Sequence, residues 1–429
     1  MLIRHAHRLC RHLPRATSCA HFPSISQYHF ATSTSSSSSV SFTSSSSSFS
    51  IASNSNTTKL TFHQIQPSPH LINTTSTTTP LPRSSHGLSI IQNGSLLVLY
   101  GGEHIARTPI DDPNQSLWVA RQIDDTDNSS WQWIVPTTSS NNEEEEVPLP
   151  RVAHAQCSVE NDIYMFGGRV GIEMGENALN DLWKLQLLDD TNTNDGSITN
   201  TTMMTAKWTK VKPTTPKLPE ARSFHKMITI GTNLYMFGGC GASGRLNDLW
   251  KFDTLTLQWS ELGSSHILKG RGGPNLLTLD DNRKIAIVAG FAGEETNDGH
   301  VYNCDTGMWE EEGMKGLQEM RPRSVCCFGS FPQLDKCVIF GGEVDPSQKG
   351  HEGAGGFERD VVILDAVNGN VLETIPSPTG GDDVEWPGSR GWSDAAVYQD
   401  TMFLFGGLAG DDVSPVRLDD LWQCKVSSS

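Results

Sequence analysis

Two groups of residues in this sequence have the types and spacing to do chemistry. The first is a set of arginines at the same point of a repeating unit: Arg83 in PRSSH, Arg151 in PRVAH, Arg222 in ARSFH, Arg271 in RGGP, Arg323 in PRSVC and Arg390 in SRGW. Guanidinium groups hold sulfate, phosphate or carboxylate through paired hydrogen bonds, so arginines gathered at one opening would form an anion site. The same repetition also fits arginines that serve only their own unit, each pairing with a nearby carbonyl or acid. His86, His154 and His225 follow their arginines by three residues, as ligands or, more simply, as satisfied buried rings. The second group is GEVDPSQKGHE, residues 342–352, where Glu343, Asp345 and His351 place two carboxylates and an imidazole on one short stretch. Such donors suit Fe(II) or a similar borderline ion, although short carboxylate–histidine loops are also commonly just solvated.

The elements that must position these residues repeat along the chain. Leu234–Gly239, LYMFGG, returns as Leu97–Gly102, Ile163–Gly168, Val338–Gly342 and Phe403–Gly407, with Ala289-Gly290 closing a weaker copy. Asp-Leu-Trp recurs at Asp181–Trp183, Asp248–Trp250 and Asp420–Trp422, and a closing tryptophan at Trp208, Trp259 and Trp309, with Trp131 or Trp133 in the first copy. Short apolar runs separated by Gly, Asn and Asp turns predict short antiparallel strands, four to a unit. Four strands with a period of about 50 residues resemble the kelch repeat. One such sheet cannot cover its own faces, whereas six packed radially can, so the expected fold is an all-β, six-bladed kelch β-propeller over residues 59–429. The last copy lacks a fourth strand and Leu60–Gln66 lacks a unit, so that N-terminal strand is expected to close the ring and remove its exposed edges. In a propeller the first strand of each blade is the innermost, which would put the six arginines around one mouth of the channel.

Composition narrows the function. The formal net charge is −17, and the first acidic residue is Glu103. An acidic body argues against nucleic-acid and anionic-membrane binding. No run of about 18 apolar residues predicts a membrane span. Nine cysteines with no CxxC spacing favour a reducing compartment and no zinc site. Residues 1–58 carry Arg4, Arg8, Arg11 and Arg15, no acid and long serine runs. This is the make-up of a mitochondrial transit peptide followed by a disordered tail, the alternative being a disordered cytoplasmic tail. Acidic Glu143–Glu146 and the segment 188–204 are expected to be solvated loops.

A narrower resemblance rests on PRSSHG at 82–87 with the following doublet and Glu103, PEARSFH at 219–225, RGG at 271–273 with GFA at 290–292, RSV at 323–325 and RGW at 390–392. In this order they resemble the plant specifier proteins, the epithiospecifier, nitrile-specifier and thiocyanate-forming kelch propellers. The resemblance implies Fe(II)-dependent conversion of glucosinolate aglucones, released by a partner β-thioglucosidase, into nitriles or related products. It implies iron on a Glu-xxx-Asp-xxx-His loop, which Glu343 and His351 match and Ser347 interrupts, with Asp345 as the substitute third ligand. It also implies a substrate pocket at Arg151, Arg222 and Trp392; the repeated-arginine pattern itself adds Arg83 and Arg390 as anion-facing candidates. Two functions follow as expectations: a binding module for a protein or a small anionic ligand at the channel mouth, or an iron-dependent enzyme of the specifier type.

Overall fold

The computed structural model describes residues 57–428 apart from 74–75, 124–129, 139–145, 172–176, 190–203 and 380–384. The transit-like tail and much of the two acidic or polar insertions therefore lie outside the described residues. The rest forms six four- or five-stranded sheets in a ring, antiparallel except for one short added strand in blade 2, with four two-stranded hairpins beside them. Blade 3 is the clearest: Lys226–Ile230, Asn233–Phe237, Asp248–Asp253 and Gln258–Ser264 lie side by side in that order. Blade 1 is built on Gly87–Ile91, blade 2 on Ala155–Val159, blade 4 on Asn275–Leu279, blade 5 on Cys327–Phe331 and blade 6 on Asp394–Tyr398 as innermost strands. The apolar side chains of neighbouring blades interlock, so the core is six inter-blade wedges. One holds Val98, Val119, Met165 and Trp183 between blades 1 and 2.

The ring closes as the sequence requires. Thr58–Ile65 pairs antiparallel with Pro415–Ser428, from Thr58 opposite Ser428 to Ile65 opposite Leu421, and becomes the outermost strand of blade 6. Phe62 and Ile65 are buried there.

Two further rings bind the blades at one end of the channel. Two residues after each arginine stand Ser85, Ala153, Phe224, Gly273, Val325 and Trp392, all with φ between 49° and 60°. Each backbone N–H donates to the equivalent carbonyl of the preceding blade, at 2.7–3.0 Å, and Ser85 N to Trp392 O completes the circle. Left-handed backbone is costly for a β-branched residue such as Val325, and the closed circle imposes it on every blade alike. The glycine doublets form the second ring. Gly239 N donates to Arg271 O of the next blade at 2.8 Å, and the other blades repeat the bond. A Cβ on Gly239, at φ +96°, would stand 2.7 Å from Ser223 O, which is why no side chain fits there.

Candidate functional site

The six repeated arginines do not face the channel mouth. All six are at most 2% exposed. Arg222 shows the pattern: Nη1 and Nη2 donate to the two oxygens of Asp248 at 2.8 and 2.7 Å, Nη1 to Gly238 O and Nε to Glu220 O. The Trp250 indole donates to the same carboxylate at 2.6 Å. Burial works to raise the Asp248 pKa, but the bonds from Arg222 and Trp250 outweigh it and leave it below the ordinary value. Asp181 with Arg151, Asp298 with Arg271, Asp360 with Arg323 and Asp420 with Arg390 repeat the bridge. This explains Asp-Leu-Trp: the aspartate joins a guanidinium to an indole inside one blade. Arg83 has no such acid, since Ser116 precedes Leu117-Trp118, and instead donates to Leu81 O, Gly101 O and Gln115 O. Burial pulls its pKa down to about 9. Arg83, Arg151, Arg222 and Arg390, expected as substrate-binding residues, are in this structure buried and bonded within their own blades.

The three histidines are buried as well, against the aromatic rings of neighbouring strands: His86 with Phe405, His154 with Tyr100 and His225 with Phe166. Burial first, then the adjacent arginine, holds His86 and His225 well below the ordinary histidine range and His154 at about 3. They are neutral rings at physiological pH.

What lines the mouth is the set of positions that differ between blades. The residue after each doublet pairs with the residue after each arginine and is Glu103, Arg169, Cys240, Phe291, Glu343 and Leu408 in turn. Over blades 3 to 5 these positions border a cavity of about 270 Å³. Its floor is Phe224, Gly273, Val325 and Trp392 of the left-handed ring, with the Phe224 and Trp392 rings edge to face at 5.4 Å. At the two positions after its arginine blade 4 has only glycines, Gly272 and Gly273, so no side chain of that segment fills the floor, and this opens the space. Phe291, Cys240, Ser324 and Glu343 form the walls, and Arg107, Pro346, Ser347 and Gly350 come in from the loops. The Arg245 guanidinium lies 4.5 Å above the Phe291 ring.

Two carboxyls in this region are uncomfortable. Burial, then the Glu343 charge, lifts Glu295 to about 8, and its Oε1 accepts a bond from Ser324 at 3.3 Å. Burial lifts Glu343 to about 7, with Asp412 adding to the effect.

Of the expected metal loop, the Glu343 and Asp345 side chains are described, and they lie in different surroundings. Glu343 is buried in the cavity wall, but Asp345 points outward and is bound at 2.8 Å by Arg321. Ser347, at the position where the resemblance implies an aspartate, donates to Asp412 of blade 6, which also accepts from Gln348 N at 3.1 Å. The His351 side chain lies outside the described residues. Among the described residues no group of three His, Cys, Asp or Glu is placed to hold a metal ion. Of the residues marked from sequence, Trp392 and Glu343 come together at the cavity, and the arginines and Asp345 do not. Arg107, Arg245, Phe224 and Phe291 were missed. Phe224 and Phe291 stand as departures from the repeat, at positions where most other copies carry a different type, while Arg107 and Arg245 lie on hairpins outside it.

The comparisons agree with this architecture. The KLHDC2/KLHL20/DRC7 Kelch-repeats domain matches residues 144–342. Over 381 residues the chain is 26% identical to the N-(sulfonatooxy)prop-2-enimidothioate sulfolyase of Thlaspi arvense, taking in 82% of this chain and 94% of that protein. Host cell factor 2 of Homo sapiens is 25% identical over 236 residues, 52% of this chain and 28% of its own length. The solved structure of YjhT matches with a TM-score of 0.53 at 17% identity, over 82% of this chain and 98% of that one, and shows the fold alone. The chain is a kelch-repeat propeller that resembles the plant specifier proteins. No helix among the described residues is long and apolar enough to cross a membrane.

Proposed function

We propose that this propeller binds a small organic anion with a flat apolar body in the cavity over blades 3 to 5. One observation carries the reading: Arg107 and Arg245 line the same space of about 270 Å³ as Phe224, Phe291 and Trp392. The guanidinium groups supply charge-assisted bonds to an anionic head, and the three rings supply an apolar slot for the rest. The space suits a fragment-sized ligand and not a protein surface. Phenyl sulfate is a suitable probe, with phenol and inorganic sulfate each offering half of it. Calorimetry is expected to show one-site binding of phenyl sulfate and much weaker binding of either half. Arg245→Gln removes a charged hydrogen-bonding partner, about 1.5–3 kcal/mol, so affinity should fall roughly tenfold to a hundredfold. Equal affinity for phenol and phenyl sulfate would sink the reading.

The two raised carboxyls give this binding a pH dependence. Glu295 and Glu343, at about 8 and about 7, are neutral below those values and charged above them. Glu343 stands in the wall and Glu295 behind it against Ser324, and each repels an anion in the cavity when charged and not when neutral. Phenyl sulfate keeps its charge throughout, so its affinity is expected to rise several-fold as pH falls from 9 to 6 and then to level off. A flat profile between those pH values, or one that rises with pH, would contradict the assignment.

A second reading is favoured by the relative that spans most of both chains and is named a sulfolyase. On that reading the anion in the cavity is a substrate with a sulfonatooxy group, held by Arg107 and Arg245 and packed on Trp392. The chain's own residues bind and orient it in either case, and incubating the protein with such a substrate and following sulfate release separates the two readings.

A further inference from the structure

A second cavity lies on the same axis at the opposite end of the channel and is independent of the anion site. It measures about 370 Å³ and opens at the face that carries the turns after the innermost strands, where Asn282, Gln333 and Gln399 stand. Its inner end is a bar across the channel. Lys226 and Asp394 occupy the same position in blades 3 and 6, four residues after Arg222 and Arg390, and these blades are diametrically opposed. Their side chains meet with Nζ 2.9 Å from Oδ1, while Oδ2 accepts from Leu88 N at 2.9 Å. The pair is largely shielded, at 19% and 14% exposure. Lys226 also borders the small chamber beneath the Phe224–Trp392 floor, so the bar separates the two ends of the channel.

The pair decides which ligands this end can accept. An anion that takes Lys226 leaves Asp394 shielded and unpaired, and a cation that takes Asp394 does the same to Lys226. Stranding one member of a buried pair is far more costly than leaving the pair together. A hydroxyl group avoids the penalty because it donates to a carboxylate oxygen and accepts from the ammonium while the bridge stays intact. The ammonium has three donors and gives one to Asp394. Around the bar the walls mix hydroxyls of Ser158, Thr229 and Ser330 with apolar Met227, Phe328 and Val397. Polar edges beside apolar patches match a ring that carries hydroxyls on its rim and C–H groups on its faces. The volume is within the range of small-molecule sites.

We infer that the Lys226–Asp394 end of the channel binds a neutral polyhydroxylated molecule of monosaccharide size. The test uses the full chain and three probes of one shape: D-glucose, anionic D-glucuronate and cationic D-glucosamine, followed by saturation-transfer NMR and calorimetry. Saturable one-site binding of glucose is expected, at least tenfold tighter than either charged sugar. The pair Lys226→Met with Asp394→Asn should reduce glucose binding at least tenfold while the thermal midpoint shows the chain still folded. Thr229→Met, which fills the cavity without touching the bar, should do the same and serves if the double variant does not fold. No saturable glucose binding by the wild type would overturn the inference. So would binding of a charged sugar as tight as glucose, or undiminished glucose binding in a folded variant. Arg245→Gln leaves glucose binding unchanged if the two ends are independent, and a matching loss would place glucose at the mouth and overturn the inference.

Discussion

Asp248→Ala is expected to lower the stability of the propeller by about 3–5 kcal/mol, because it leaves Arg222 buried with its charge unmatched. Arg222 is fully buried and has both Nη atoms on that carboxylate. The Trp250 indole loses its acceptor in the same stroke. Urea unfolding of the variant beside the wild type measures the loss, provided the two slopes agree. Phenyl sulfate affinity at a temperature where both are folded should be unchanged, since Asp248 lies inside the blade. A variant that kept its stability and lost the ligand would return the arginines to the anion site. Replacing the pair together, Arg222→Met with Asp248→Leu, should cost much less than Asp248→Ala alone, because no charge is stranded.

A chain that begins at Gln66 should be less stable than one that begins at Asn56 by roughly 3–6 kcal/mol, the burial of Phe62 and Ile65 at about 1.5–3 kcal/mol each. The eight paired residues of Thr58–Ile65 would be gone, and the backbone of Pro415–Ser428 would become an open edge. Open edges recruit other strands, so the shortened chain should also self-associate. Light scattering and unfolding curves on the two chains check both effects. A shortened chain that stayed monomeric and equally stable would mean that the ring does not depend on its closing strand. Supplying residues 57–66 as a peptide should restore the stability if pairing is the cause.

Both expected losses bear on how repeats are to be read. A residue that returns in every copy answers a need that every copy has. The arginine recurs in all six blades, and the doublet and the aspartate in five each, because each blade must tie its innermost strand to its third and to the next blade. Their chemistry resembled a ligand site only while the partners were unseen. The positions that border the cavity are those where the copies disagree: Phe224, Gly273 and Trp392 on one ring, and Cys240, Phe291 and Glu343 on the other. Arg107 and Arg245 sit on hairpins after the doublets of blades 1 and 3, and no periodicity marks them.

The sequence by itself determined the architecture. Strand length, doublets and tryptophans repeat locally, and local repetition forces a ring once each sheet must cover its neighbour's face. It also determined the closure, because a chain with an unpaired strand at one terminus and a three-stranded blade at the other has one economical solution. Only the tertiary structure decided which charges are satisfied. Arg222 and Asp248 stand 26 residues apart, and Lys226 and Asp394 stand 168 apart. Pairing at such separations depends on where the backbone brings two side chains, and residue type alone does not record it. The same physics pairs Asp345 with Arg321. It also left Glu343 and Glu295 buried near one another, so that the mouth of the channel carries a charge balance that depends on the fold.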